Sequence, residues 1–489
     1  MSTSNPSSPL VLPVITIDPT FPTVIQDVDS GIVPSETFWM SCYRASEPSV
    51  HANIQVELDE VDRNLIRLKP TEGDVEIVQT LNGTANYTAS CKPLCIPPTR
   101  LITPVQRYLD PERSNVQRPQ RITAFDVSPD GTKFASGFLD GSVFIYPVSP
   151  IPSNSSFPDS QIQIPYSITP PIPQRFISKA HLSTVTSLQF FPSSRVLLSA
   201  GGDFSLTILP ADLPIPSSDT TTGPSTRITP VRTLRGHTRA ISSTGIIALG
   251  RNILSTSLDS TLKLWDVPSS SCISSLMAHS PILSSSMGER TPVPPDGEEH
   301  PPRATASTTA QDEREVPEAQ SKLVFCGLQN GMFELFDLRD KASVYRSSPP
   351  PLSTAGSLTS IRYNDAHHLL ATGSSKGVVA VYDTRALRSD GGVPVTTFRR
   401  NEAAIEDLEF VVRGEGGSTA EIGLGIATTD GLPYVADVVP EGPAVGAELV
   451  DGECDPVRCV RVRETQSAGR RRLEVWSAAD DAVIRRYLI

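Results

Sequence analysis

The chain has 489 residues and a net charge of −12. That acidic balance argues against nucleic acid as the main partner, because phosphates would be repelled rather than stripped of their counterions. No apolar run approaches the roughly 20 residues needed to cross a bilayer, which excludes a membrane-spanning helix.

The opening MSTSNPSSPL lacks a basic segment followed by an apolar one, so no secretory leader is expected. Residues 1–35 are rich in Ser, Pro and Thr and read as a disordered tail. Between 36 and 98, ETFWMSCYR, HANIQVEL, NLIRLKP, DVEIVQTL and ANYTASC read as short strands separated by turns, a small N-terminal β-rich module. Residues 99–489 form the main domain. TRLITPVQRY, near Thr99 to Tyr108, is the strand expected to pair with the terminal VIRRYLI and close that domain. Pro/Ser-rich insertions are expected near 149–175, 211–228 and 288–320.

One repeat is legible in full: GHTRAISSTGIIALGRNILSTSLDSTLKLWD, from Gly236 to Asp266. Its apolar residues alternate, and NILSTSLD turns at Asp259-Ser260 into TLKLWD, as two strands of a hairpin would. Taking Asp259 as the turn, Ser255 lies four residues before it and Trp265 six after. The same frame fits Asp140 with Ser136 and Tyr146, Asp203 with Ser199 and Leu209, and Asn330 with Cys326 and Phe336. It fits again at Lys376 with Thr372 and Tyr382, at Asp430 with Ile426 and Ala436, and at Asp481 with Ser477 and Tyr487. Gly141, Gly331, Gly377 and Gly431 follow four of these turns, where a tight hairpin needs a left-handed residue.

Gly-His and Trp-Asp at this separation resemble the WD40 repeat. Seven frames in order imply an all-β, seven-bladed WD40 β-propeller, with the N-terminal module packed on it. His237, Ser255, Asp259 and Trp265 are expected to form the structural tetrad of blade three, a hydrogen-bonded chain in which each polar group is satisfied. His181 and His279 stand at other blade entries, where a structural His belongs.

Few residues suggest chemistry. His367-His368 reads as a solvated turn, and Arg470-Arg471-Arg472 as a solvated loop between strands. The seven cysteines, at 42, 91, 95, 272, 326, 454 and 459, suit free thiols in a reducing compartment, cytoplasmic and nuclear. Cys91 with Cys95, and Cys454 with Cys459, lack the second ligand pair that a zinc site requires. No phosphate-binding glycine loop, GxSxG or HExxH occurs. The expectation is a non-enzyme with no catalytic residues, metal or cofactor. Acidic loop residues such as Asp126, Asp365, Glu402, Glu406 and Asp407 either serve only to solubilise the surface, the plainer reading for each, or meet a basic partner surface.

A closer resemblance rests on GRNILSTSLDSTLKLWDVPSSSCISSL, with HLSTVTSLQFFPSSRVLLSAGGD before it and KLVFCGLQNG after it. These stretches resemble the proteasomal ATPase-associated factor family, WD40 chaperones that assist assembly of the proteasome regulatory particle. The likeness extends over about 36–489, is strongest over 180–340, and includes the polar interruption of blade four between Met287 and Lys322. It implies a monomer outside its complex that binds the C-terminal domain of a proteasomal base ATPase, without chemistry. Ser260 in place of Gly, blades without Trp and long Pro-rich insertions depart from the pattern, so no contact residue is carried over. One alternative is a substrate receptor of a cullin-type ubiquitin ligase, since Arg339 and Arg385 follow the aromatic-Asp pairs Phe336-Asp337 and Tyr382-Asp383. A general WD40 scaffold is the other.

Overall fold

A computed structural model describes residues 9–59, 65–80, 86–114, 118–151, 167–170, 174–212, 225–290, 312–351, 354, 356–387, 392–414, 420–467 and 470–489. Seven four-stranded antiparallel units follow one another along the chain. Their innermost strands are Ile122–Val127, Val185–Phe190, Ile241–Ile247, Ile282–Glu289, Leu358–Asn364, Ile405–Arg413 and Val457–Ser467. Each innermost strand packs against that of the next unit, and the seventh packs against the first, which closes the ring of a propeller.

Ring packing explains the sequence of the second strands. Each is covered by a neighbouring blade on either face, so Lys133–Phe138, Asn252–Ser257 and Leu369–Ser374 are buried at every position. Double burial replaces the strict alternation of a one-faced sheet with runs of apolar and small residues. The cores therefore lie between blades: Leu198, Ile208 and Leu234 of blade two pack with Ile241, Ile253 and Trp265 of blade three.

All seven turns between second and third strands hold one residue at positive φ. It is Gly141, Gly331, Gly377 and Gly431 in four blades, but Phe204, Ser260 and Ala482 in the others. A left-handed residue with a Cβ is strained by roughly 1–2 kcal/mol.

The chain closes the ring with its own beginning. Gln106–Leu109 pairs antiparallel with Val483–Leu488 and supplies the fourth strand of blade seven. Tyr108 fixes this strand by stacking on Trp476 at 5.8 Å and meeting Phe134 of blade one edge-on at 4.8 Å. The expected closing strand therefore starts later than Thr99. Residues 99–102 belong instead to Ile96–Ile102, which runs parallel to the outer strand Ala444–Leu449 of blade six. Leu101 of that strand faces the module core and Ile102 the core between blades six and seven, which accounts for its position.

The N-terminal region is also corrected. Residues 9–35 carry strands Leu10–Val11 and Val14–Ile17 and a helix, Phe21–Asp29, where a disordered tail was expected; residues 1–8 lie outside the described residues. Phe21, Val24, Ile25 and Val28 bury one helical stripe against Phe38, Met40, Ile54 and Tyr87. Leu10–Val11 runs along Thr396–Arg399, the outer strand of blade five, and Val14–Ile17 then enters the module sheet. The module thus includes Val14–Ile17, and its second sheet is continuous with blade six. Of the expected insertions, 152–166, 171–173, 213–224 and 291–311 lie outside the described residues. The second insertion ends in a strand, Ser225–Arg227, laid parallel on Arg175–Ser178 of blade one.

Two outcomes follow from this architecture. Tyr108→Ala, which empties a buried aromatic site at the closure, is expected to lower the unfolding free energy by about 3–5 kcal/mol in urea titration, with exchange protection lost first in blade seven. Ser260→Gly is expected to raise it by up to about 1 kcal/mol, since glycine adopts the turn without strain.

Candidate interaction surfaces

The four side chains expected in blade three meet. Trp265 Nε1 donates to Ser255 Oγ at 2.8 Å, Ser255 Oγ lies 2.7 Å from His237 Nε2, and His237 Nδ1 lies 2.9 Å from Asp259 Oδ2. Only one proton arrangement satisfies all three contacts with a neutral imidazole. Tryptophan only donates and carboxylate only accepts, so Ser255 donates to Nε2 and Nδ1–H donates to Asp259. Thr261 Oγ1 and the Thr238 N–H complete the Asp259 carboxylate. Blade two builds the same relay without tryptophan: His181 bonds Asp203 at 2.9 Å and Ser199 at 2.8 Å, with Thr207 Oγ1 3.3 Å from Nε2.

His279 does not join a relay. It is exposed, and its backbone N–H binds Glu334 Oε2 at 3.1 Å, because Asn330 and Cys326 stand where the Asp and Ser would be. Other blades use ion pairs on buried carboxylates that the sequence frame did not reveal. Arg175 meets Asp110 beside blade one, Glu334 meets Arg346 in blade four, and Arg400 meets Glu448 between blades five and six. Arg485 meets Asp451 at 3.1 Å in blade seven. Their common signal is a charged residue at a core position of an outer or third strand, conspicuous only once register is known.

The innermost strands surround a central channel with a cavity of about 560 Å³. Its lining is divided. Blades two to four contribute hydroxyls, among them Thr186, Ser187, Ser243, Thr244 and Ser285. Blades five to seven and one contribute charges: Arg362 reaches Asp407 and Glu409, each at 3.3 Å, and Arg461 bridges Asp407 to Asp126. Burial pushes Asp126 up to about 6, although Arg461 and the Phe190 N–H oppose the shift. Asp126, Glu406 and Asp407, expected as acidic loop residues facing a partner, are therefore strand residues paired inside the molecule; Glu406 is held by Arg458 at 3.1 Å. Asp365 accepts the Glu289 N–H, and Glu402, also exposed, makes no ion pair among the described residues.

A different surface emerges on the rim carrying the turns between second and third strands. Leu182 is 88 % exposed, Leu139 52 % and Phe204 42 %. They adjoin across blades one and two: Thr184 Oγ1 donates to the Leu139 carbonyl, the Leu182 N–H to Asp203, and the Gly202 N–H to the Thr184 carbonyl. Beside them a shallow cavity of about 260 Å³, lined by Thr184, Ala240, Leu258 and Leu283, opens toward the channel.

The WD domain, G-beta repeat (WD40) family model matches residues 114–146, 173–208 and 228–266. The chain carries WD40 repeats. Those matches fall on blades one to three, where both histidine relays lie, and the fold is an all-β WD40 propeller. No curated protein matches the chain. Repeats of this kind support a protein-binding scaffold.

The remaining candidates are placed simply. His367 contacts Asn364 within its own hairpin, and His368 lies 3.4 Å from the Tyr363 hydroxyl. Cys91 is buried in the module core whereas Cys95 is exposed on a tight turn, so the two do not converge. Cys454 is exposed and Cys459 buried. Arg470–Arg472 begin a strand, not a loop, and Arg471 pairs with Glu464 at 3.1 Å. Among the described residues no group of three or more His, Cys, Asp or Glu is placed to hold a metal ion.

The relays make stability depend on pH. Burial holds His237 and His181 below the ordinary imidazole value, their aspartates offsetting this only in part. Folded histidines then bind fewer protons than unfolded ones, so stability is whole above about pH 6.5 and falls as pH drops below it. Burial would raise Asp259, but hydrogen bonds from Thr261, the Thr238 N–H and His237 outweigh it and hold the carboxyl at about 2. Its contribution is present above about pH 4 and is lost toward pH 2. Denaturation midpoints are expected to decline from pH 7 to pH 5. The double variant His181→Phe/His237→Phe should be less stable at pH 7, by about 1–3 kcal/mol per relay, and flatter across that interval.

Proposed function

We propose that this protein is a non-catalytic binding platform whose rim over blades one and two holds another protein. The observation that carries this reading is Phe204. A bulky aromatic at φ 67° is strained where four other blades use glycine, and it is still 42 % exposed. Strain held at an exposed site points to use, and an exposed aromatic flanked by Leu139 and Leu182 is the composition of a protein contact.

For the partner we propose the C-terminal domain of a proteasomal base ATPase, held during assembly of the regulatory particle. Support comes from the resemblance of residues 180–340 to assembly chaperones of that class, the stretch that also carries Leu182 and Phe204. The protein would act as a monomer outside its complex, in the cytoplasm and nucleus, without cofactor, metal or nucleic acid. The ligase-receptor reading relies on Arg339 and Arg385. Arg385 pairs with its own Asp383 at 2.7 Å, whereas Arg339 is exposed and makes no ion pair among the described residues.

Phe204→Gly separates binding from folding. The variant is expected to be at least as stable as the parent, because the strained turn relaxes. It should lose most partner capture when the tagged protein is purified from its own cells, as should Leu182→Asp. Free base ATPases among the captured chains are the predicted result. Cullin adaptors without ATPases, or undiminished capture by Phe204→Gly, would overturn the partner or the surface respectively.

A further inference from the structure

The chain is acidic, yet from Thr226 to Ala240 it reads TRITPVRTLRGHTRA, with four arginines and no carboxylate. Arg227, Arg232, Arg235 and Arg239 are all exposed. Among the described residues none of the four guanidinium groups makes an ion pair, whereas Arg195 and Arg251 nearby are engaged by Asp212 and Asp266. The stretch passes from Ser225–Arg227, outermost on blade one, to Arg232–Arg235, the outer strand of blade two.

That second strand is an open edge. The blade-two sheet ends on Arg232–Arg235, and among the described residues no strand pairs with its outer side. Three other blades show what such an edge accepts. Ser225–Arg227 lies along Arg175–Ser178, Leu10–Val11 along Thr396–Arg399, and Ile96–Ile102 along Ala444–Leu449, each in parallel register. An outer edge of this propeller is thus built to take a fifth, parallel strand.

We infer that the outer edge of blade two is a docking site for an extended acidic segment of a partner protein, added as a parallel fifth strand. The open edge offers backbone N–H and carbonyl groups to another peptide backbone, and the unpaired arginines select carboxylates along it. A polyanion without a peptide backbone satisfies only the second demand, so a peptide fits better than nucleic acid. This site goes beyond the proposed partner; its strand starts beside the rim, where Arg235 pairs with Ser205 next to Phe204, and runs away from it toward Arg232.

The test uses the full chain and a fluorescein-labelled peptide of about eight residues, alternating Glu with Val or Thr, a usual strand length. Anisotropy should show saturable binding that weakens with added salt. Binding should fall roughly tenfold in Arg232→Glu/Arg235→Glu and less in Arg232→Gln/Arg235→Gln, each keeping the parent melting temperature. Methylating alternate peptide nitrogens should abolish it, and Phe204→Gly should leave it unchanged, which separates this site from the rim. No binding, equal binding of the methylated peptide or of single-stranded DNA of the same length, or indifference to both arginine variants would overturn the inference.

Discussion

A blade of this protein has two apolar faces, and no blade can cover both by itself. Everything else follows from that constraint. Each sheet must lie between two others, so the row of sheets has to close, and the last must find the first. Gln106–Leu109 meets the requirement by pairing with Val483–Leu488, with Tyr108 set between Trp476 and Phe134. Because the strand comes from before blade one, the two ends of the propeller are held by one sheet. Closure also removes the edges that an open row would expose at either end.

Burial on both faces creates a second problem, because every polar group taken between blades needs a partner. Two devices supply most of the partners, although Ser136, Ser477 and the Tyr434 hydroxyl are left without one among the described residues. Blades two and three use a histidine relay in which each hydrogen bond has a fixed direction. Blades one, four, six and seven rely on arginine–carboxylate pairs such as Arg400–Glu448, where removing one partner would strand a buried charge. The channel repeats the division, with hydroxyls on one side and the Arg362–Asp407–Arg461–Asp126 chain on the other. These charges are paired inside the molecule.

The fold was legible because the turn after each second strand forces a small polar pattern at fixed spacing, and blade three displays all of it. The relay of His237, Ser255, Asp259 and Trp265 could be read directly, since each residue type has one role in a buried chain of donors and acceptors. The helix Phe21–Asp29 escaped because Ser, Pro and Thr around it dominated the composition, although Phe21, Val24, Ile25 and Val28 have helical spacing. Asp126 and Asp407 looked solvent-facing because their partners, Arg461 and Arg362, come from other blades. The frame shows Phe204 after Asp203, but its exposure could not be read from sequence. It occupies the place of a turn glycine, and only its backbone angle and exposure reveal the strain.

We propose that this propeller holds its partner on the rim over blades one and two. Hydrogen exchange of the purified complex against the free chain tests it most directly. Added protection concentrated at Leu139–Gly141, Leu182–Thr184 and Gly202–Ser205 is the predicted result. A complex that leaves these segments exchanging as in the free chain, with protection on the opposite face or on the N-terminal module, would contradict it.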